Sequence, residues 1–266
     1  MPDPPREHGF TAVDEQTDPS AWIDVLDKAR REPAYAAYKL RVGELLRPLA
    51  GRTYLELGTG TGADALDLAE RFRVRVVGID ASRTMVEEAK RRGLREALLA
   101  DAESLPFDDA SVDGCWADRT FQHLARPEAA LSEMVRVTKS GGRIVVVDPD
   151  YDTQVVDVPD EELARRVLRF RADHQLRQGT LAHRMGGLFV RAGIGEVSVE
   201  AATVVLTDPA ALDNAMGLRG WAGVAHDRGL LDADDVTSWT RMIDEAIEAG
   251  HFLYAFTLFL TAGTRP

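Results

Sequence analysis

Three carboxylates and three glycines in the first half of the chain stand where ligand chemistry is possible. The stretch Tyr54-Leu55-Glu56-Leu57-Gly58-Thr59-Gly60-Thr61-Gly62-Ala63-Asp64 runs an apolar segment straight into a glycine-rich turn. Glycines lack a Cβ, so the backbone can turn tightly and approach a ligand closely. A helix starting just beyond would aim unpaired N–H groups and a positive dipole end at an anionic group. Glu56 precedes the first glycine by two residues. Asp80 closes a second apolar run, Val76-Val77-Gly78-Ile79, and Asp101 follows a third. A carboxylate accepts hydrogen bonds at both oxygens, so each position can hold paired hydroxyls, an amino group or a cation.

The loop alone leaves the cofactor open. Gly58, Gly60 and Ala63 satisfy the dinucleotide fingerprint, and Asp80 lies 22 residues after Gly58, where a ribose-binding acid belongs. The same geometry serves S-adenosylmethionine, and a tight turn without any ligand is the plain structural alternative. The carboxylates separate these readings. Glu56 is ill placed beside a pyrophosphate but suits the cationic end of a methionine moiety. Asp80 can take both ribose hydroxyls. Asp101 can accept from an adenine amino group, with Ala102 and Leu105-Pro106-Phe107 against the ring. Methionine, ribose and adenine then follow one another along the carboxyl edge of a sheet.

Histidine is the commonest general base near neutral pH. The chain has six, at 8, 123, 174, 183, 226 and 251. His123 follows the fourth predicted strand, and His174 and His183 follow the fifth, so these three are the candidate catalytic residues. The alternatives are a turn residue bonded to backbone for His123 and exposed helical residues for the other two. Asp148, Asp150 and Asp152, with Tyr151 between them, form an acidic cluster that could bind a metal or orient an acceptor. Acid-rich strand ends commonly stand without metal, no zinc-type spacing exists, and no metal is assigned. Cys115, the one cysteine, sits in an apolar run and reads as a small core residue.

These groups need a scaffold. Short β-branched runs at 53–57, 74–79, 96–99, 112–117 and 143–148 alternate with helical stretches at 63–71, 82–92 and 127–138. Such alternation predicts βαβ units with right-handed crossovers. Before them, 21–48 reads as two helices broken at Pro33, a lid over residues 21–50. Residues 51–150 form the cofactor-binding half. After it, 151–192 and 209–249 read as mostly helical, separated by a strand at 197–206 and followed by a last strand at 252–261. Trp22, Phe170, Leu188, Phe189, Trp221 and Trp239 would give this roof an apolar lining, suited to a bulky apolar acceptor. Residues 1–20, rich in Pro, Asp and Glu, read as a flexible N-terminus, and 21–266 as a single domain.

Composition narrows the partners. Hydrophobic residues make up 45% and charged residues 29%, an ordinary globular balance. No apolar run reaches a membrane span and the N-terminus carries no apolar signal core, so a cytoplasmic protein without a membrane partner is expected. The net charge of -12 and the absence of a basic stripe argue against nucleic acid. A small-molecule acceptor remains, and a homodimer is compatible with the sequence.

Read together, LELGTGTG (55–62), VVGID (76–80), ADAESLPF (100–107), SVDGCWADRTFQHL (111–124) and EMVRVTKSGGRIVVVD (133–148) resemble the class I S-adenosylmethionine-dependent methyltransferases. The group most similar comprises quinone-biosynthesis and bacterial natural-product small-molecule methyltransferases. The resemblance is close over about residues 50–150 and looser over the tail HFLYAFTLFLTAG. Lys139-Ser140-Gly141-Gly142 replaces the family's usual Lys/Arg-Pro-Gly-Gly turn. The resemblance implies a Rossmann-like doubly wound α/β sheet of seven strands, mostly parallel with the last strand antiparallel. It implies S-adenosylmethionine as cofactor, with Glu56, Gly58, Thr59, Gly60, Asp80, Ala81, Met85, Asp101, Ala102 and Arg119 around it. Ser82 would stand beside the ribose, and Asp118, Arg119 and His123 would face the methionine and the acceptor, with Tyr35 or Arg41 closing over the site. The implied activity is methyl transfer to an oxygen or carbon, or a nitrogen, of a small metabolite. A non-methylating enzyme of the same fold, such as a cyclase, and a nicotinamide-dependent oxidoreductase are the rivals.

Overall fold

The computed structural model describes residues 10, 12–209 and 217–266. Helices α1 (Ser20–Arg31) and α2 (Pro33–Leu46) precede the sheet, with Pro33 at the first turn of α2. Proline is tolerated there because the missing N–H would be unpaired anyway. The alternation that follows is β1 (Thr53–Leu57), α3 (Ala63–Phe72), β2 (Arg75–Asp80), α4 (Arg83–Arg92), β3 (Ala97–Leu99), β4 (Val112–Asp118), α5 (Pro127–Val137) and β5 (Thr138–Val156). Next come α6 (Glu161–Phe170), a π-helical turn at Arg171–Gln175, α7 (Met185–Arg191) and β6 (Gly195–Leu206). Helices Trp221–Asp227 and Ala233–Glu248 lead into β7 (Tyr254–Thr264).

The strands form one seven-stranded sheet in the order β3-β2-β1-β4-β5-β7-β6. β1 pairs in parallel with β2 and β4, β2 with β3, and β4 with β5. β7 runs antiparallel between β5 and β6. This is the doubly wound arrangement that the sequence implies. The chain order reverses at β1–β4, which opens a crevice at their carboxyl ends.

Alternation along the strands divides the core in two. Leu55, Leu57, Val77, Ile79, Cys115, Ala117, Ile144 and Val146 pack with α5 and α7 on one face. Tyr54, Val76, Trp116, Val145 and Val147 pack with α2, α3 and α4 on the other. Cys115 is fully buried, as expected of a core thiol.

Three expectations change. β5 does not stop at Asp148: it continues to Val156, pairing with β7 on both sides of an irregularity between Asp150 and Val155. Within the expected flexible N-terminus, residues 1–9 and 11 lie outside the described set, but Val13 is buried and Asp14 caps α4. Apart from Trp22, which is half-buried, the apolar roof is core. Phe170, Leu188, Phe189, Trp221 and Trp239 are all buried, and Trp239 donates from Nε1 to the Leu218 carbonyl at 2.9 Å. Residues 210–216 of the expected 209–249 helical segment lie outside the described set.

Candidate active site

One cavity of about 410 Å3 occupies the crevice at the carboxyl ends of β1, β2 and β4. Its wall includes Glu56, Gly58, Thr59, Gly60, Asp80, Ala81, Met85, Asp101, Ala102 and Arg119, with His123. Sequence positions from 56 to 123 thus converge because parallel strands deliver every such end to one edge.

The glycine loop is shaped by its neighbours as well as by the cavity. Gly58 has φ of 67°, and a Cβ there would lie 2.3 Å from Thr120 Oγ1. Gly60, at φ 52°, leaves Leu26 of α1 just enough room, since a Cβ would come within 3.1 Å of it. Gly58 is therefore glycine because the turn after β4 crosses it.

Asp80 is held by backbone. Its Oδ2 accepts from Gly60 N–H at 2.8 Å and its Oδ1 from Ser82 N–H at 2.9 Å. Burial pushes its carboxyl above the ordinary range despite these bonds. Ser82 caps α4 by accepting from Met85 N–H at 3.2 Å, and its hydroxyl donates to Asp14 at 2.7 Å. Asp14 also accepts from the Arg83 and Thr84 N–H groups. Against a burial penalty, the bonds from Ser82, Thr84 and Arg83 bring Asp14 down to about 2.

Glu56 is fully buried. It accepts from Trp116 Nε1 at 3.0 Å and from the Thr59 hydroxyl. Burial, and then the nearby Asp64, push its carboxyl well above the usual range. Lys39 of α2 reaches the same wall, pairing with Asp118 at 2.9 Å and with Asp64. Burial opposes its charge, but Asp118, Tyr38 and Asp64 outweigh it and raise the ammonium's pKa. Arg119 has φ of 53°, and its guanidinium lies 5.1 Å over the Tyr35 ring. Its buried Nε makes no hydrogen bond.

His123 ends a short 3-10 turn, Phe121–His123, which Asp148 secures by accepting from the Phe121 and Gln122 N–H groups, both at 3.2 Å. Burial, then the charges of Arg119, Arg171 and Arg177, lower the His123 ring to about 4. Phe10 lies tilted against it at 5.9 Å and meets Trp22 edge-on at 4.7 Å.

The other candidate histidines do not line this cavity. His174 lies on the π-helical turn in a separate, open groove with Tyr151, Asp152 and Phe170, 5.8 Å from the Phe170 ring. His183 is half exposed, with Nδ1 2.6 Å from the buried Asp150, which also accepts its backbone N–H. Spacing after β5 could not show that the chain turns these two away. Asp150, Asp152 and His183 bring one ligand-type atom each within 4.8 Å of one another, the one such group among the described residues. Asp152 meanwhile accepts from Arg169 at 2.7 Å. Arg41, expected near the site, points outward to Glu200 and Glu44. Tyr35 is buried beneath Arg119 rather than closing over the cavity. Phe10, Leu26, Arg30, Lys39 and Arg177 are further wall residues that no sequence motif marked, and Asp64, at the end of the glycine-rich stretch, joins them.

The wall fits S-adenosylmethionine on its own chemistry. The Arg119 guanidinium, whose Nε makes no hydrogen bond and lies 3.4 Å from Asp118 Oδ1, can meet a carboxylate, and the buried carboxyl of Glu56 can meet cationic charge. A carboxylate at Asp80 backed by two N–H groups can accept from a diol. Such a site on this sheet defines an α/β protein whose cavity wall has the groups an adenosyl-type cofactor needs.

A family model described as a methyltransferase domain matches residues 55–146. The chain is 34% identical over 244 residues to an uncharacterized 37.1 kDa protein in transposon TN4556 of Streptomyces fradiae, covering 90% of this chain and 70% of that one. It is 32% identical over 151 residues to O-methyltransferase resE of Aspergillus sclerotiorum, covering 54% of this chain and 56% of the relative. It thus spans about half the length of that O-methyltransferase. The YcgJ protein of Bacillus subtilis shares the fold, with a TM-score of 0.58 at 21% identity over 86% of this chain and 98% of that one. The chain belongs to the class I S-adenosylmethionine-dependent methyltransferases. No helix among the described residues is long and apolar enough to cross a membrane.

Proposed function

We propose that the protein transfers a methyl group from S-adenosylmethionine to an oxygen or carbon atom of a small-molecule acceptor. The observation that carries this reading is the gathering of Glu56, Asp80, Asp101, Arg119 and His123 around one cavity. When bound, the cofactor supplies a methyl already activated by its sulfonium, so the protein's task is mainly to position.

Asp80 would take the ribose hydroxyls. Asp101, whose Oδ1 accepts from Glu103 N–H at 2.8 Å, would take the adenine amino group, with Met85 and Ala102 along the ring. Glu56 and the Gly58–Gly60 backbone would hold the cationic end of the methionine portion, and Arg119 its carboxylate. His123, on the turn that Asp148 secures, would orient the acceptor with a neutral ring. A ring lowered to about 4 is a weak base, so it directs rather than removes a proton. The buried roof aromatics withdraw the argument for a bulky apolar acceptor.

Calorimetric titration with S-adenosylmethionine, S-adenosylhomocysteine and NADH tests the reading. The adenosyl ligands are expected to bind in the micromolar range and NADH not at all. Asp80→Ala removes two charged acceptors, each worth about 1.5–3 kcal/mol, and should weaken binding at least about a hundredfold. Binding of NADH alone, or of no ligand, would overturn the assignment.

A further inference from the structure

One wall of the cofactor cavity comes from outside the sheet. Phe10, Val13, Leu26 and Arg30 line it, all from residues ahead of α2. Val13 is 2% exposed, and a Cβ on Gly60 would come within 3.1 Å of Leu26, so α1 rests on the glycine loop. The segment is fastened to two helices of the sheet. At the start of α4, Asp14 Oδ1 accepts from the Ser82 hydroxyl at 2.7 Å and from Thr84 N–H at 3.1 Å, and its Oδ2 accepts from Arg83 N–H at 2.7 Å. At the end of α4, Arg92 pairs with Asp27 of α1 at 2.7 Å. Arg30, in the last turn of α1, pairs with Asp64 and Asp67 of α3. The turn Val13–Glu15 and α1 thus bridge α4 and α3 across the mouth of the cavity. These fastenings are polar and reach water, the kind of contact that lets a segment open without unfolding the rest.

Ser82 joins this bridge to the site. Its hydroxyl donates to Asp14, and its N–H donates to Asp80 at 2.9 Å. Resting on the methyltransferase reading, we propose that the turn Val13–Glu15 and α1 form a strap that opens to exchange the adenosyl cofactor, with Asp14 as its latch on α4. A carboxylate at a helix N-terminus is held by unpaired N–H groups and by the positive dipole end. Ribose bound at Asp80 steadies Ser82, and with it the helix start that the latch grips. Cofactor and closed strap then stabilise each other, and the coupling is equal in both directions. Asp14 is not part of the cavity wall, so it is a positioning residue that governs how long the cofactor stays.

The test follows tritiated S-adenosylhomocysteine on the full chain, its release into an excess of unlabelled ligand and its association by rapid filtration. Asp14→Ala should speed release roughly tenfold, the loss expected of one charge-assisted hydrogen bond. Association should rise about threefold, because entry no longer waits on a conformational change. Asp14→Asn, which keeps one acceptor oxygen for the N–H groups, should recover most of both changes. Glu87→Ala, at an exposed acid on α4, should leave both rates within about twofold. A residue that merely capped α4 would lower the thermal midpoint on removal without quickening association. Hydrogen exchange supplies a readout on the unaltered protein: the amides of residues 12–31 should exchange more slowly once S-adenosylhomocysteine is bound. Unchanged rates in a folded Asp14→Ala variant, or exchange over 12–31 indifferent to the ligand, would overturn the proposal. Failure of S-adenosylhomocysteine to bind the unaltered protein would instead sink the methyltransferase reading, and this inference with it.

Discussion

Replacing Lys39 by Met should both destabilise the protein and loosen its lid. Lys39 joins α2 to the sheet through Asp64 at the start of α3 and Asp118 at the end of β4. Its side chain is 14% exposed and that of Asp118 is 6% exposed, so solvent screens the pair little. Removing one partner of a buried ion pair costs about 3–5 kcal/mol, chiefly because the other is left desolvated and uncompensated. That is a large part of a typical stability of about 5–15 kcal/mol. Urea denaturation followed by tryptophan fluorescence measures it, with the slope held to the unaltered value. The loss should also depend on pH. In the unaltered protein, the Asp64 carboxyl is lowered: burial raises it, but Lys39 and Arg30 outweigh burial. A lowered carboxyl contributes stability above its unfolded pKa, and that contribution is lost as pH falls through the folded value. Without Lys39 the burial penalty gains on the remaining attraction, so less of that stability is left. The gap between variant and unaltered protein should hold steady from pH 7 to about 4 and narrow below that, as pH falls through the lowered Asp64 value. A loss under about 1 kcal/mol, or a gap independent of pH, would refute the reasoning.

Two further perturbations follow from the site. Gly58→Ala places a Cβ 2.3 Å from Thr120 Oγ1 at a φ of 67°, and should cost about 1–3 kcal/mol in thermal unfolding while abolishing measurable S-adenosylhomocysteine binding. His123 is lowered to about 4, by burial first and then by Arg119, Arg171 and Arg177. The unfolded chain therefore takes up a proton near pH 6.5 that the folded chain refuses until about pH 4. Stability should fall across that window, and His123→Asn should flatten this part of the pH profile in urea titrations. A variant whose profile matches the unaltered protein would show that another group titrates there.

Much of the site is legible because it is local or periodic. Leu57 through Ala63 is a strand, a turn and a helix start within seven residues, and its glycines declare the turn. Asp80 and Asp101 are legible because parallel strands bring their carboxyl ends to one edge whatever the loops between them do. The alternation of Leu55 and Leu57 with Tyr54 and Glu56 already separates the two faces of β1.

The tertiary structure decided which charges meet. Lys39 sits 25 residues from Asp64 and 79 from Asp118, and nothing in its helix marks it as a wall residue. Asp14 caps α4 from 68 residues away, in a stretch whose composition reads as flexible. His123, His174 and His183 look alike in sequence, but only His123 faces the cavity, because Asp148 fixes its turn while the continuation of β5 to Val156 carries the other two aside. Phe170, Trp221 and Trp239 fit a roof and a core equally well on pattern alone, and burial chose the core. By itself the sequence determined the fold and which residues stand along the sheet edge, since each rests on short-range spacing or strand direction. The partners of isolated charges and the facing of single histidines depend on contacts across tens of residues. Those are set only when the packed elements exclude water and leave each polar group a particular neighbour.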